Sequence, residues 1–199
     1  MHSLFRSCVI SPVFLLFAVF SLASLTACTT ETEVSSRFSM APAVLSVSEP
    51  NTIIPAQSVF AWLPQSQEYH ADPRFRGAKI NHMVEDAIRQ SLQQRRYVFQ
   101  SNASGANYLI AYVAGLENDL DDREMMKRFG IVPGVAANST DAQAEKGTLV
   151  IYVIDTRTGR RIWRSALQTL VTLDMDDAVR QQRIYAAVDA MFATLPGAR

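Results

Sequence analysis

Residues 148–173 read TLVIYVIDTRTGRRIWRSALQTLVTL, and this stretch decides the fold. Residues 148–155 and 161–173 are rich in the β-branched and aromatic side chains that favour strands. The residues between them, 156–159, end in Gly159, which accepts the positive φ angle that a tight turn requires. The sequence therefore predicts a β-hairpin.

Two amphipathic helices are predicted, one before and one after this hairpin. Residues 78–96 and 174–196 both carry apolar residues at the spacing of one helical stripe. Asp174 is expected to cap the second helix, and Pro196 to end it. The first stripe consists of Ile80, Met83, Val84, Ala87, Ile88 and Leu92, and the second of Ile184, Ala187, Val188, Met191, Phe192 and Leu195.

Shorter strand patterns at residues 59–63, 97–99 and 108–114 complete the predicted elements. The order along the chain is strand, helix, strands, a long loop, the hairpin and a second helix. A helix with a single apolar stripe buries that stripe against one face of a sheet. The prediction is an α+β fold in two layers, with a mainly antiparallel sheet and two amphipathic helices packed on one face.

The other face of this sheet is expected to be apolar as well. Residues 149–154 and 108–113 are uninterrupted apolar runs, whereas a solvated face would alternate with polar residues. A cover is therefore expected, and the candidates are the N-terminal segment, residues 117–146, a second copy of the chain, a lipid or a partner. Residues 117–146 are long for a simple connection, so we expect either a mobile loop or a helix, with one or two turns at 121–129.

Residues 1–27 have the pattern of a secretory signal, because Arg6 precedes an uncharged apolar stretch that finishes in small residues. A tetrapeptide that resembles the bacterial lipobox closes this segment and consists of Leu25, Thr26, Ala27 and Cys28. The resemblance implies that the signal is removed and that the sulfur of Cys28 carries a diacylglycerol, with three acyl chains in all. The alternative is an uncleaved anchor, because residues 8–27 are long enough to span a bilayer.

Lipidation at Cys28 would fix the location of the protein, because two or more acyl chains hold a protein stably on a membrane. Thr29 stands where an aspartate would favour the inner membrane, so similarity to that sorting pattern implies the outer membrane, with the domain in the periplasm. Residues 28–52 are predicted to form a flexible tether, and residues 53–199 a single domain. The alternative for 28–52 is an ordered extension packed on the domain through Phe38, Met40, Val44, Leu45 and Val47.

Several stretches of the domain carry a family resemblance when they are read together. They are Phe60-Ala61-Trp62-Leu63-Pro64, Tyr108-Leu109-Ile110-Ala111-Tyr112, residues 147–155, Thr158-Gly159 and Ile162-Trp163-Arg164. This set resembles the domain-of-unknown-function family 4136 (DUF4136) of bacterial envelope lipoproteins. The resemblance covers residues 57–196, with 117–146 as an insertion, and it implies no catalytic residues.

Composition and cysteine content exclude several classes of protein. The chain has 199 residues, of which 48% are apolar, with 19 basic and 19 acidic side chains. It therefore lacks the basic excess of a protein that binds nucleic acid through phosphates. Cys8 lies in the signal and Cys28 is expected to be a thioether, so no thiol remains for cysteine catalysis or for a disulfide.

No metal site, cofactor or catalytic residue is predicted. The densest acidic cluster lacks the spacing of a calcium loop, because Arg123 stands at the position of the third ligand. It consists of Glu117, Asp119, Asp121, Asp122 and Glu124. His70 and His82 have no Cys or His at ligand spacing. Phosphate loops, dinucleotide fingerprints and the Gly-x-Ser-x-Gly elbow are absent, although a Ser-His-Asp triad scattered along the sequence stays open.

The hairpin tip carries a candidate interaction surface, formed by Arg157, Arg160, Arg161 and Arg164. Planar guanidiniums bind phosphates, such as those of lipopolysaccharide, or carboxylates, such as those of peptidoglycan. The alternative is a solvated turn whose charges keep edge strands from aggregating. Trp62 and Trp163 lie in alternating strand patterns, so we expect core positions rather than glycan platforms.

Three hypotheses of function follow. In the first, a non-catalytic lipoprotein anchored through Cys28 binds an envelope protein, or a second copy of itself, through the second sheet face or residues 117–146. In the second, the domain binds a small apolar or amphipathic ligand, a lipid or a glycan, between the sheet and this long loop. In the third, the domain is an enzyme such as a hydrolase, with a loop acid such as Asp121 in its site.

Overall fold

The computed structural model describes residues 42–70, 73–74, 78–135 and 144–197. The strands are β1 (Ala43–Ser48), β2 (Val59–Trp62), β3 (Glu68–Tyr69), β4 (Val98–Gln100), β5 (Tyr108–Leu116), β6 (Ala144–Asp155) and β7 (Arg161–Thr172). The helices are α1 (Ala78–Gln94), α2 (Asp122–Phe129) and α3 (Asp177–Phe192). All seven strands belong to one sheet of order β1-β7-β6-β5-β2-β4, with β3 beside β5. The fold of the described residues is therefore α+β.

The predicted hairpin is confirmed, because β6 and β7 pair antiparallel along nearly their whole length. Gly159 closes the turn with φ 66°, and its N–H donates to the carbonyl oxygen of Asp155 at 2.8 Å. The carboxylate of Asp155 accepts from the N–H of Arg157 at 2.8 Å and so stabilises the turn. One irregularity interrupts the pairing, since Val153 lies opposite Trp163 but Ile154 lies opposite Arg161, which leaves Ile162 as a bulge.

The prediction of a mainly antiparallel sheet is wrong, because the sheet is mixed. Strands β1, β7, β6 and β5 pair antiparallel, whereas β2 pairs parallel with β4 and β5, and β3 pairs parallel with β5. The reason is that α1 lies between β2 and β4 in the chain. A connection through a helix returns the chain to the starting edge of the sheet, so the next strand runs parallel.

Residues 43–48 were predicted to belong to the flexible tether, but they form β1 at the edge of the sheet. Each of them lies opposite a residue of β7, from Ala43 opposite Gln168 to Ser48 opposite Trp163. Val44 and Val47 are partly buried in the core, as the ordered alternative expects. The earlier part of the predicted tether, with Phe38 and Met40, lies outside the described residues, as do the signal segment and Cys28.

We use the name helix face for the side of the sheet whose residues share an apolar cluster with residues of the two long helices. One apolar cluster joins Ile88 and Leu92 of α1 to Val188 and Phe192 of α3. Apart from Ile162 at the bulge of β7, the strand residues of this cluster alternate along each strand and therefore point to the same side. They include Phe60, Ile110, Tyr112, Ala114, Leu149, Ile151, Val153, Trp163 and Leu167.

The predicted cap of the last helix is corrected to a later aspartate. Asp176, rather than Asp174, stands at the N-cap of α3, and its carboxylate accepts from the N–H groups of Ala178 and Val179 at 2.8 and 3.4 Å. The helix therefore begins at Asp177.

The opposite side of the sheet, the second face, is covered by the chain itself. A separate apolar cluster packs the sheet residues Val113, Val150 and Ala166 against residues of the 117–146 segment. Those residues are Leu120, Met125, Phe129 and Ile131, all at most 4% exposed. Of the covers considered from the sequence, the 117–146 segment is the one that occupies this face in the described residues.

Helix α2 forms the centre of this cover. Asp121 caps its N-terminus by accepting from the N–H of Glu124 at 2.7 Å. Gly130 ends it in the left-handed conformation, with its N–H donating to the carbonyl oxygen of Met126 at 3.0 Å. None of the helices within the described ranges is long and apolar enough to cross a membrane.

Candidate functional site

A buried ammonium group holds the cover in place. The side chain of Lys146 on β6 is only 2% exposed, and its Nζ lies 2.7 Å from Glu117 and 2.9 Å from Asp122. Burial lowers the pKa of Lys146, and the two carboxylates favour its charged form. Gln168 on β7 donates to Asp122 at 2.7 Å and accepts from the N–H of Gly134 at 2.9 Å. This polar network ties both ends of the cover to the hairpin strands.

Four of the five residues of the acidic cluster predicted from the sequence have a structural role. Glu117 and Asp122 pair with Lys146, Asp121 caps α2, and Glu124 lies 3.8 Å from Arg128. The parts of the chain that the structure describes contain no group of three or more His, Cys, Asp or Glu residues arranged to hold a metal ion.

The two histidines have different surroundings. His82 is exposed on α1, whereas His70 follows β3 with its Nε2 3.9 Å from a carboxylate oxygen of Glu68.

The four predicted arginines lie in two different surroundings. Arg157 and Arg160 belong to the hairpin turn, with side chains 83% and 68% exposed. Arg160 pairs with Glu49 at 2.8 Å, and Arg157 lies 3.7 Å from Asp155. Arg161 and Arg164 are half-buried on β7 and point to the second face.

The bulge at Ile162 brings Arg161 and Arg164 to the same side of the sheet. In a regular strand, residues three apart point to opposite faces. Here Arg164 lies opposite Tyr152 and Arg161 lies opposite Ile154, and these two partners are two residues apart on β6. Because cross-strand partners share a face, both guanidiniums lie beside α2. We call Arg161 and Arg164 the arginine pair.

Arg161 is held by aromatic rings. Its guanidinium carbon lies 4.6 Å from the ring centre of Tyr152 and 5.8 Å from that of Phe129, which is cation–π geometry. Its Nη1 also donates to the carbonyl oxygen of Arg128 at 3.5 Å. Burial lowers the pKa of Arg161, and the nearby positive charges of Arg164 and Arg128 act in the same direction. Burial likewise raises the pKa of the Tyr152 hydroxyl.

Arg164 lies between Tyr152 on β6 and Val47 on β1, with Gly130 beside its terminal nitrogen. Its Nε is shielded from solvent and has no hydrogen-bond partner among the described residues. Most shielded donors in proteins have a partner, and a charged one without a partner is unusual. The site therefore contains an unused, oriented N–H group.

Arg128 forms ion pairs with the carboxylates near the arginine pair. Its Nη2 lies 2.7 Å from Glu68 and its Nε lies 3.8 Å from Glu124, while its guanidinium carbon lies 5.0 Å from the ring centre of Phe129. No ion pair of Arg161 or Arg164 occurs in the described ranges. The pair thus carries two positive charges that nearby acids leave unneutralised.

The two tryptophans belong to the core cluster of the helix face. Trp163 is 1% exposed, with its ring centre 5.6 Å from that of Phe192. Trp62 is partly buried, with Phe99 at 5.1 Å between ring centres and the guanidinium carbon of Arg89 at 5.6 Å from its ring centre. Both agree with the core positions expected from their strand patterns.

Sequence reasoning missed Lys146, Gln168 and Arg128. The partners of Lys146 and Gln168 are distant in sequence, so no local spacing marks them. Gln168 alone gave a signal, since it is a polar residue inside the predicted strand 161–173.

Comparison with solved structures finds matches at low sequence identity. The PelC dodecamer from Paraburkholderia phytofirmans is 9% identical, covering 79% of this chain and 99% of that chain, with a TM-score of 0.46. A DUF4136 family protein from Bacteroides thetaiotaomicron is 11% identical, covering 78% and 96%, with a TM-score of 0.44. A lipoprotein from Neisseria meningitidis is 8% identical, covering 68% and 98%, with a TM-score of 0.39. No curated protein matches.

A comparison with family models gives a broader match. The model described as "Domain of unknown function (DUF4136)" matches residues 48–197, which include every strand after β1 and all three helices. The resemblance predicted from the strand motifs is confirmed. The chain therefore belongs to the DUF4136 family.

Proposed function

We propose that this chain is a non-catalytic lipoprotein of the cell envelope, anchored to the outer membrane through acyl chains on Cys28, with its domain in the periplasm. The observation that carries the proposal is the tetrapeptide Leu25, Thr26, Ala27 and Cys28 at the end of a secretory signal. Cysteine at that position is the residue that a lipobox requires. Membership of a family of unknown function is compatible with a binding role and assigns no catalytic residues.

The domain acts by binding, through a surface outside its two apolar clusters. Our proposal places both long helices on one face of the sheet, and the described residues of the cover fill the other. An apolar ligand between the sheet and the long loop is not favoured, because Leu120, Met125 and Phe129 occupy that space. The arginines of the hairpin, Arg157, Arg160, Arg161 and Arg164, form the surface that contacts an envelope protein or a second copy of the chain.

The anchor is tested with the variant Cys28→Ser, followed by incorporation of labelled palmitate and by the mass of the purified chain. We expect an unacylated precursor that keeps residues 1–27. Cys8→Ser is the matched control, because Cys8 lies in the segment that is removed, and it should be processed and labelled as the wild type is. Normal cleavage and labelling of Cys28→Ser would contradict the lipobox.

The membrane assignment has its own test, because Thr29 is expected to permit transfer to the outer membrane. Thr29→Asp should move the protein to the inner-membrane fraction in a density gradient, with acylation unchanged. An unchanged distribution of Thr29→Asp, or wild-type protein found in the inner membrane, would overturn this assignment.

The binding role is tested by photo-crosslinking in intact cells. A photoreactive residue at position 157, in the exposed turn, should give a discrete crosslinked protein or a dimer. The same residue at position 82, exposed on α1, serves as the control and should not give that product. Identical products from both positions, or no discrete protein product from position 157, would argue against a protein-binding surface at the hairpin.

A further inference from the structure

No carboxylate of the described residues neutralises the two positive charges of the arginine pair. In the described ranges, Arg128 takes the nearby carboxylates, with Glu68 at 2.7 Å and Glu124 at 3.8 Å. Arg161 and Arg164 have none, and the charge of Arg164 lowers the pKa of Arg161, as expected for two close guanidiniums. An anion placed between them would remove this repulsion.

A purely structural role accounts for Arg161 but not for Arg164. Arg161 lies over two aromatic rings and donates to a carbonyl at the end of α2, where a cation stabilises the helix dipole. The Nε of Arg164 has no such partner, although it is shielded from water. Its neighbour Gly130 has no side chain, and a Cβ at that position would lie 3.8 Å from the terminal nitrogen Nη2 of Arg164.

We propose that the arginine pair binds a phosphate group. Two positive charges match the charge of a phosphate monoester, which is about −1.5 to −2 at neutral pH. The oxygens of a phosphate point in several directions and accept from two separate guanidiniums, whereas a planar carboxylate is satisfied by the fork of one arginine. The headgroup of phosphatidic acid, which is a phosphate monoester, and free phosphate share this chemistry. The proposal rests on the binding role proposed above and does not require the lipid anchor.

The first arm of the test uses the full-length chain, purified from membranes in a neutral detergent, and inorganic phosphate as the probe. Nitrogen NMR of the arginine Nε groups should show saturable shifts for Arg161 and Arg164. Arg161→Gln with Arg164→Gln should weaken the affinity by about tenfold or more, since two charge-assisted contacts are lost. Arg123→Gln with Lys127→Gln removes the same charge from two exposed positions of α2 and should change the affinity by less than about twofold.

The second arm distinguishes the source of the phosphate. Micelles of the same detergent that contain phosphatidic acid should compete with inorganic phosphate if the site takes a lipid headgroup, and should fail to compete if it takes only a free phosphate. Both results support the phosphate site. Acetate binding as tightly as phosphate would instead assign the pair to a carboxylate and overturn the proposal.

Two further results would also overturn the proposal. One is the absence of a saturable shift at Arg161 and Arg164. The other is an equal loss of affinity in the Arg123 and Lys127 variant, which would indicate attraction by net charge alone. If the double glutamine variant does not fold, Arg161→Lys with Arg164→Lys keeps the charge without the forks and should still bind phosphate more weakly than the wild type. Acylation of Cys28 is measured separately, so loss of the anchor and loss of phosphate binding are distinguishable.

Discussion

The two faces of the sheet are closed in different ways. The helix face is a continuous apolar and aromatic cluster in which Trp163 and Phe192 are almost fully buried. The second face has a smaller apolar cluster, and its edges are closed by charged groups, with Lys146 on one side and the arginine pair on the other. Apolar burial is non-directional, whereas a buried charge needs its partner in a defined place. The helix face therefore supplies most of the stability, and the charged groups of the second face fix where the cover lies on the sheet.

The largest expected effect is on the helix face. Trp163→Ala should lower the free energy of unfolding by about 3–5 kcal/mol, because it removes the largest fully buried side chain of the cluster and leaves a cavity. Urea denaturation followed by circular dichroism measures the loss. Trp62→Ala is the control, since Trp62 is only partly buried, and its loss should be smaller. Equal losses would mean that the cluster is not centred on Trp163.

On the second face, Lys146→Met keeps an apolar stem but removes the ammonium. We expect a loss of about 2 kcal/mol, because Glu117 and Asp122 lose their cation, although these carboxylates are 34% and 46% exposed and water compensates in part. Amide hydrogen exchange should speed up in α2 and not in α1.

The control for this variant is Lys79→Met. Lys79 makes a similar pair with Asp177 at 2.8 Å, but its side chain is 59% exposed. Its removal should cost less than about 0.5 kcal/mol. If the two variants lose the same amount, burial of Lys146 contributes nothing to the cover.

Alkaline pH should act on the helix face through Tyr112. Burial and the neighbouring Glu85 raise the pKa of this hydroxyl far above its ordinary value of 10. An acid whose pKa is raised on folding releases its proton first in the unfolded chain, so stability is present below pH 10 and is lost as the pH rises above it. Tyr112→Phe should reduce the slope of this loss by up to about 1.4 kcal/mol per pH unit. Denaturation series between neutral and alkaline pH would measure both slopes, and identical slopes would refute the assignment.

The smallest effect is expected at Arg164. Arg164→Met removes a shielded N–H that has no partner in the described ranges, so the free energy of unfolding should change by less than about 0.5 kcal/mol or should increase. Urea denaturation beside Lys146→Met gives the comparison. A loss as large as that of Lys146→Met would make Arg164 a structural residue.

The elements with strong local patterns were predictable from the sequence, and the long-range pairings were not. The hairpin and both long helices are fixed by alternation and by helical stripes within each segment. The parallel pairing of β2 with β5 depends on where the chain returns after α1, which no local pattern encodes. β1 was assigned to a tether because its serines and short length give a weak strand signal, and its partner β7 is distant in sequence.

The candidate site was predictable only in part. The arginines at the hairpin stood out by composition, but their spacing gave no sign that Ile162 is a bulge. Without that extra residue Arg161 and Arg164 would point to opposite faces. Arg128 was missed because it reaches the site only when α2 folds over the sheet.

The position of β1 determines how the domain responds to tension along the chain. β1 is the first strand of the described residues, lies at the edge of the sheet and is joined to one neighbour, β7. A pull on the chain before Ala43 therefore acts first on the contacts of β1, which are its backbone pairing with β7 and the packing of Val44 on the core cluster. Under such tension we expect the edge strand to detach while the rest of the sheet stays folded.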